Sequence, residues 1–142
     1  MKKIYTYAAP LFFFFLFAAG CSKDFLRSYE YRIIGTWRIT DIDRRGSGNT
    51  NNLPFTDGEF TFGENGRFTW TNGGRTYQGS WDIRRDWNQD EETKSLHITA
   101  VDFAGQDVRS EYFNEIVFTN TNRLKAFIND GSRTYVYRFL RL

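Results

Sequence analysis

The chain has 142 residues, of which 40% are hydrophobic and 19% aromatic, enough for one globular domain with a well-filled core. Its formal net charge is +2, but Lys2 and Lys3 account for the whole excess of 19 basic over 17 acidic residues. The rest of the chain is neutral, which argues against a surface that follows nucleic-acid phosphates. The only cysteine, Cys21, leaves no disulfide framework and no cysteine-based metal site.

Residues 1–20 have the features of a cleaved secretory segment. Two lysines form its positive start, and the apolar stretch at 8–19 is too short to be a good membrane-spanning helix. The run Ala18-Ala19-Gly20-Cys21 resembles the lipobox of bacterial lipoproteins. This resemblance implies cleavage before Cys21 and lipidation there, with acyl chains such as palmitate as the membrane anchor. The alternatives are an ordinary signal peptide with an unmodified cysteine and an uncleaved anchor.

Residues 21–32 are predicted to be the lipidated start and a short membrane tether. Within it, Ser22-Lys23-Asp24 resembles the export tag of surface lipoproteins in one large phylum of Gram-negative bacteria. A plain solvated linker is the alternative, so a surface-facing and a periplasmic location both stay open. The resemblance implies a lipid-anchored protein of the bacterial outer membrane, with the domain at 33–142 close to the bilayer.

Alternating apolar and polar residues predict eight antiparallel strands joined mostly by short turns. The first strand, at about 33–43, puts Trp37, Ile39 and Asp41 on one face. The Gly- and Asn-rich segment 44–57 predicts one long loop.

For several turns, the sequence predicts which residues pair across the two flanking strands. At Glu64–Gly66, a three-residue link with its glycine left-handed sets Phe62 opposite Phe68 and keeps the aromatic side chains on one face. Two-residue turns are predicted at Asn72-Gly73 and Asp130-Gly131.

A predicted loop and the strand that follows it lie in the second half of the chain. The charged segment 84–93 is predicted to be a loop. Strand 5 is ambiguous, because either Leu96 and Ile98 or His97 and Thr99 face inward.

Such a meander can remove its edges by pairing strand 8 with strand 1, which gives an eight-stranded up-and-down barrel. Gly35-Thr36-Trp37 at the start of strand 1, a long first loop and a terminal basic residue resemble the lipocalin pattern. The Gly-Thr-Trp-Arg-Ile-Thr run, the Phe-x-Phe…Asn-Gly-x-Phe-x-Trp hairpin and the Tyr-x-Tyr-Arg-Phe ending are more narrowly similar to bacterial lipocalin-like domain lipoproteins. The resemblance implies a basic residue packed over Trp37, and parity favours Arg141, with Arg138 as the alternative.

The residues offer little for catalysis. His97 is the only histidine, so neither a Ser-His-Asp triad nor a multi-histidine metal centre can be assembled. A calcium loop counted from Asp86 would need Gly at its sixth place and Glu at its twelfth, where this chain has Glu91 and His97. We therefore predict a protein that is not an enzyme and has no catalytic residue, metal or cofactor.

A candidate ligand site follows from strand direction, because inward residues far from the tether converge at the mouth of the predicted barrel, under the loop at 44–57 as a lid. These residues are Asp41, Trp70, Arg75, Tyr77, Tyr112, Asn114, Arg133 and Tyr135. Buried charges must be paired or wet, so they form either a polar plug or a polar pocket with aromatic walls.

Each arrangement at the mouth predicts a function. A pocket predicts non-catalytic binding of a small molecule, which is the function that we expect. A plug predicts a filled-barrel accessory or scaffold subunit of a cell-envelope or surface glycan-uptake complex.

Overall fold

The computed structural model describes residues 27–46, 53–88 and 91–142. The predicted signal peptide, Cys21 and the first half of the predicted tether lie outside the described residues. No helix in the described part is long and apolar enough to cross a membrane. The elements are α1 (Tyr29–Ile33), β1 (Gly35–Gly46), β2 (Glu59–Phe62), β3 (Arg67–Asn72), β4 (Arg75–Asn88), β5 (Glu91–Asp102), β6 (Asp107–Phe113), β7 (Glu115–Asn120), β8 (Arg123–Asp130) and β9 (Arg133–Arg141), with a 3₁₀ turn at Glu64–Gly66 between β2 and β3.

The described strands form a single antiparallel sheet in the order β6-β5-β4-β3-β2-β1-β9-β8-β7. The all-β class is confirmed, and the last strand pairs with the first as predicted. The sheet is not closed, however, because the sixth predicted strand, at 111–119, is two strands in the structure: β6 pairs with β5 and β7 pairs with β8. They are separated by Asn114, whose N–H donates to the Phe127 carbonyl at 2.8 Å. Its side-chain oxygen accepts from the Asn129 N–H at 2.6 Å, so both of these hydrogen bonds run toward β8.

Two of the predicted hairpin registers are confirmed. Phe62 lies opposite Phe68, and Gly66 has a φ of +75°, the left-handed conformation that the three-residue link requires. A three-residue turn at 120–122 was likewise predicted to set Phe118 opposite Leu124, and these two residues are partners in the β7–β8 hairpin. The ambiguity in β5 is resolved in favour of Leu96, Ile98 and Ala100, whose side chains are fully buried.

Two predicted turns are wrong by one residue. The central residues of the β3–β4 turn are Gly73 and Gly74, with φ values of +56° and +82°, so Asn72 pairs with Arg75. A tight hairpin of this kind needs positive φ at both central residues, which two glycines adopt without strain. The β8–β9 turn moves likewise, pairing Asp130 with Arg133. Both partners shift together, so each side chain keeps its predicted face.

The charged loop predicted at 84–93 is also wrong, because both β4 and β5 extend into it. Asp86 pairs with Thr93, and Arg85 lies 3.6 Å from Glu92 across the hairpin. Opposite charges on neighbouring strands are favourable cross-strand partners. A high density of charged residues is therefore compatible with a β-hairpin and was not a sufficient reason to predict a loop.

The core occupies one face of the sheet and is mainly aromatic. Phe55, from the segment predicted to be a lid, is fully buried and packs edge-on against Trp70, with ring centroids 4.9 Å apart. It also contacts Phe60 at 5.7 Å and Phe68 at 6.3 Å. The described end of this segment is therefore part of the core rather than a cover over it.

The sheet has two ends, which we call the floor and the mouth. The floor is where β1 begins and β9 ends. There the indole N–H of Trp37 donates to the Ile33 carbonyl at 2.7 Å, and the Arg141 guanidinium carbon lies 4.4 Å from the Trp37 ring centroid. Gly35 allows this approach, because a Cβ at that position would lie 2.7 Å from the Arg141 guanidinium. The mouth is where the β3–β4, β5–β6 and β8–β9 turns lie.

Candidate functional site: a polar cluster at the mouth

The structure brings some of the predicted site residues together on the core side of the sheet. Trp70 and Tyr77 are opposite each other on β3 and β4, and their ring centroids are 4.6 Å apart. The indole N–H of Trp70 donates to the Asp57 carbonyl at 2.8 Å, so the segment before β2 is fixed to it. Tyr135 is buried on β9. Arg75 is exposed at the turn end of β4.

Asp41 does not join them, and its predicted inward orientation is wrong. A bulge at Thr40 interrupts the β1–β9 pairing, because Ile39 lies opposite Phe139 while Asp41 lies opposite Arg138. One extra residue reverses every later side chain. Asp41 consequently faces outward and forms an ion pair with Arg138, while Ile42 packs against the core.

Tyr112 and Asn114 are also wrongly placed by the sequence pattern. Phe113 and Ile116 are both buried, and their spacing of three residues is possible because the strand breaks between them. Tyr112 therefore faces outward, and its hydroxyl donates to Asp86. Asn114 lies at the break itself, where its side-chain oxygen caps the Asn129 N–H.

The same shift brings three residues that the sequence analysis missed onto the core face. Asp107, Arg109 and Glu111 alternate along β6 and lie opposite Asp102, Ala100 and Ile98. Cross-strand neighbours share a face, and those three partners are buried. The alternation from Asp107 to Phe113 was visible in the sequence, but the predicted strand began only at residue 111.

Asp107 is the centre of the outer part of this arrangement. Its carboxylate accepts from the Tyr77 hydroxyl at 2.9 Å and from Nε of Arg109 at 2.9 Å. The Tyr77 hydrogen bond holds the pKa of Asp107 below its usual range, with Arg109 acting in the same direction. The neighbouring Asp102 is buried and accepts the Ala104 N–H at 3.0 Å, so it stabilises the β5–β6 turn.

Glu111 and Tyr137 form the inner part. Burial raises the pKa of the Glu111 carboxyl. Burial also strongly raises the pKa of the Tyr137 hydroxyl, and the nearby Glu111 charge acts in the same direction. Tyr137 has no exposed surface, and its hydroxyl has no hydrogen-bond partner among the described residues. At neutral pH this hydroxyl is therefore a protonated donor inside the core.

Arg133 supplies a second such donor at the start of β9. Arg133 as a whole is half-buried, and its Nε atom is buried without a hydrogen-bond partner in the described part of the chain. Buried polar groups are nearly always hydrogen-bonded, so each exception needs a physical explanation. We call Tyr77, Asp107, Arg109, Glu111, Arg133 and Tyr137 the mouth cluster.

The mouth cluster offers both donors and acceptors of hydrogen bonds. Its two open donors, Arg133 Nε and the Tyr137 hydroxyl, are suited to an oxygen acceptor. Its two carboxyls, Asp107 and Glu111, can accept from hydroxyl or amine groups. No group of three or more His, Cys, Asp or Glu side chains that could hold a metal ion occurs in the described ranges.

Comparison of the chain with protein-family models, with curated proteins and with solved structures found no match.

Proposed function

We propose that the protein is a lipid-anchored lipoprotein of the bacterial outer membrane that binds a small polar molecule at the mouth cluster without catalysis. The observation that carries this proposal is that two buried donors, Tyr137 Oη and Arg133 Nε, have no hydrogen-bond partner in the part of the chain that the structure describes. Leaving a buried donor unsatisfied costs about 1–3 kcal/mol, so a ligand oxygen at these groups would recover a substantial stabilisation.

A lipocalin-like barrel is the architecture that we propose around this site. It is supported by the pairing of β1 with β9 and by the position of β6 and β7, which end the sheet yet are consecutive through Asn114. The Trp37–Arg141 contact at the floor agrees with the resemblance on which the barrel was predicted.

The membrane anchor rests on the lipobox-like run before Cys21. Cys21→Ala is expected to leave the precursor uncleaved and without lipid, as measured by the intact mass of the membrane-extracted protein. Ser22→Ala is the matched control and is expected to be processed normally. A Cys21→Ala protein that is still cleaved and still held in the membrane would contradict the anchor.

Native mass spectrometry of the protein extracted from its own membrane tests the binding function. We expect the native protein to carry a bound small molecule, which the spectrum identifies by its added mass. Tyr137→Phe removes only the unpartnered hydroxyl and is expected to lose this added mass. Tyr77→Phe is the control within the same cluster, because its hydroxyl is already bonded to Asp107. An added mass that persists in Tyr137→Phe would exclude this hydroxyl as the ligand contact.

A filled-barrel accessory or scaffold subunit of an envelope or glycan-uptake complex is the second candidate. Phe55 favours it, because this side chain fills space among Phe60, Phe68 and Trp70 that an interior ligand would need. The same spectra separate the two functions. Co-extraction of a second protein subunit in stable ratio, with no small molecule on the native chain, would support the scaffold and contradict ligand binding.

A further inference from the structure

A groove of about 310 Å³ lies on the outer side of the sheet, at the break between β6 and β7. The far end of the β4–β5 hairpin forms one wall with Asp86 and Trp87, and β6 adds Tyr112. Asn114, Glu115 and Asn129 form the opposite wall, from the break, β7 and β8. The volume lies at the lower end of the range for small-molecule sites. We call this the seam groove; it shares no residue with the mouth cluster.

Trp87 is the most unusual residue of the seam groove. It is 72% exposed, whereas Trp37, Trp70 and Trp81 are all buried in the core. A large aromatic ring left in water is unfavourable, and exposed aromatic side chains beside polar groups are typical of recognition surfaces. Trp87 is thus an apolar surface at one side of a polar groove.

The polar groups around Trp87 are fixed by one another. The Tyr112 hydroxyl donates to Asp86, and this hydrogen bond holds the pKa of Asp86 below its usual range, so the carboxylate is anionic. The side-chain oxygen of Asn114 accepts from the Asn129 N–H, which leaves the Asn114 amide nitrogen as a donor. Such preorganised groups lose little conformational entropy when a ligand binds.

We propose that the seam groove binds a sugar ring of a neutral saccharide. The two faces of a sugar ring carry C–H groups that pack on an aromatic ring such as Trp87. Its hydroxyl groups can donate to Asp86 and Glu115 and accept from the Asn114 amide. Both carboxylates disfavour an anionic ligand, and the polar walls disfavour a wholly apolar one. An organic cation would use the carboxylates and the aromatic ring, but it would leave the amide donor without a partner.

Tryptophan fluorescence of the full-length, detergent-solubilised protein tests the proposal directly, because Trp87 is the exposed one of the four tryptophans. The probes are neutral hexasaccharides of glucose, mannose and galactose, with choline as the cation probe. At least one hexasaccharide is expected to blue-shift the emission and reduce quenching by acrylamide at least twofold. Protection by choline alone, or by none of the probes, would overturn the proposal.

Calorimetric titration of variants with the protecting hexasaccharide separates the two ligand classes further. Trp87→Ala is expected to weaken binding at least tenfold, and Trp87→Phe, which keeps an aromatic ring, by less. Glu115→Gln is expected to change saccharide affinity less than threefold, because the amide still accepts a hydroxyl. A tenfold loss in Glu115→Gln would instead indicate recognition of positive charge and overturn the assignment. Tyr137→Phe, altered at the mouth cluster, is expected to bind as the native protein does.

Discussion

The floor and the mouth of the sheet treat polar groups in opposite ways. At the floor, the Arg141 guanidinium donates to the carbonyls of Ile34 at 2.6 Å, Thr121 at 3.2 Å and Arg32. It also packs over Trp37, whose indole N–H is bonded as well. Along β9 toward the mouth, by contrast, Tyr137 Oη and Arg133 Nε are buried without a hydrogen-bond partner among the described residues, and Ser95 Oγ on β5 is a third such group. The floor is therefore stabilised by directed hydrogen bonds to Arg141, while β9 toward the mouth carries two donors that no described residue satisfies.

The largest expected effect lies at the floor. Trp37→Ala should lower the free energy of unfolding by about 3–5 kcal/mol, because it leaves a cavity in a fully buried region. Urea denaturation measures this loss. Trp87→Ala is the control of identical chemistry, and its exposed ring predicts a change within about 0.5 kcal/mol. Equal losses in the two variants would show that the floor is not a stabilising centre.

Arg141 is the next strongest test of the floor. Arg141→Met keeps much of the side-chain volume but removes the donors to Ile34, Thr121 and Arg32, and we expect a loss of about 2–3 kcal/mol by thermal or urea unfolding. Arg141→Lys keeps the charge but not the planar fork, so it should recover only part of the loss. Full recovery by lysine would mean that charge, rather than directed hydrogen bonds, stabilises this end.

The floor could be predicted well from the sequence because its signals are local or set by parity. The alternation through Trp37 and the two-residue spacing from Tyr137 through Phe139 to Arg141 predicted that both Trp37 and Arg141 face the core, and the resemblance supplied their contact. The link at Glu64–Gly66 was equally well determined, since only one register buried Phe62 and Phe68 together.

The mouth was predicted less well, because two irregularities lie between it and the regular strands. The bulge at Thr40 turned Asp41 outward, and the break at Asn114 turned Tyr112 outward while bringing Glu111 inward. Each is a one-residue event without a Gly or Pro to mark it, and each reverses every side chain beyond it. Only the pairing partners across the sheet reveal them.

Two tyrosines of the mouth cluster differ in whether their hydroxyl has a partner, and removing each hydroxyl tests that difference. Tyr77→Phe removes a hydrogen bond to Asp107 and should cost about 1–2 kcal/mol in urea unfolding without ligand. Tyr137→Phe removes an unpartnered buried hydroxyl and should leave the ligand-free stability unchanged or slightly raised. If Tyr137→Phe is instead destabilising by as much as Tyr77→Phe, then its hydroxyl has a structural partner and the mouth is as complete as the floor.

The smallest expected effect is the pH dependence due to Glu111. Burial raises the folded-state pKa of this carboxyl above its ordinary value of 4.5, so the folded protein binds more protons than the unfolded chain between these two pKa values. Stability from this group should therefore fall as pH rises from 4.5 through the raised folded pKa. The effect should be small, because the carboxyl keeps some contact with solvent.

Glu111→Gln should remove this loss, so the variant should gain stability over the native protein as pH rises, measured by urea unfolding at intervals from pH 4 to 8. Asp107→Asn is the control of opposite sign. The pKa of Asp107 is lowered from 3.8, so its contribution to stability is present above pH 3.8 and lost as pH falls through the folded pKa. The stability difference of Asp107→Asn from the native protein should therefore stay constant from pH 4.5 to 8. A stability difference that is equally flat for Glu111→Gln would place the Glu111 carboxylate in solvent, outside the mouth cluster.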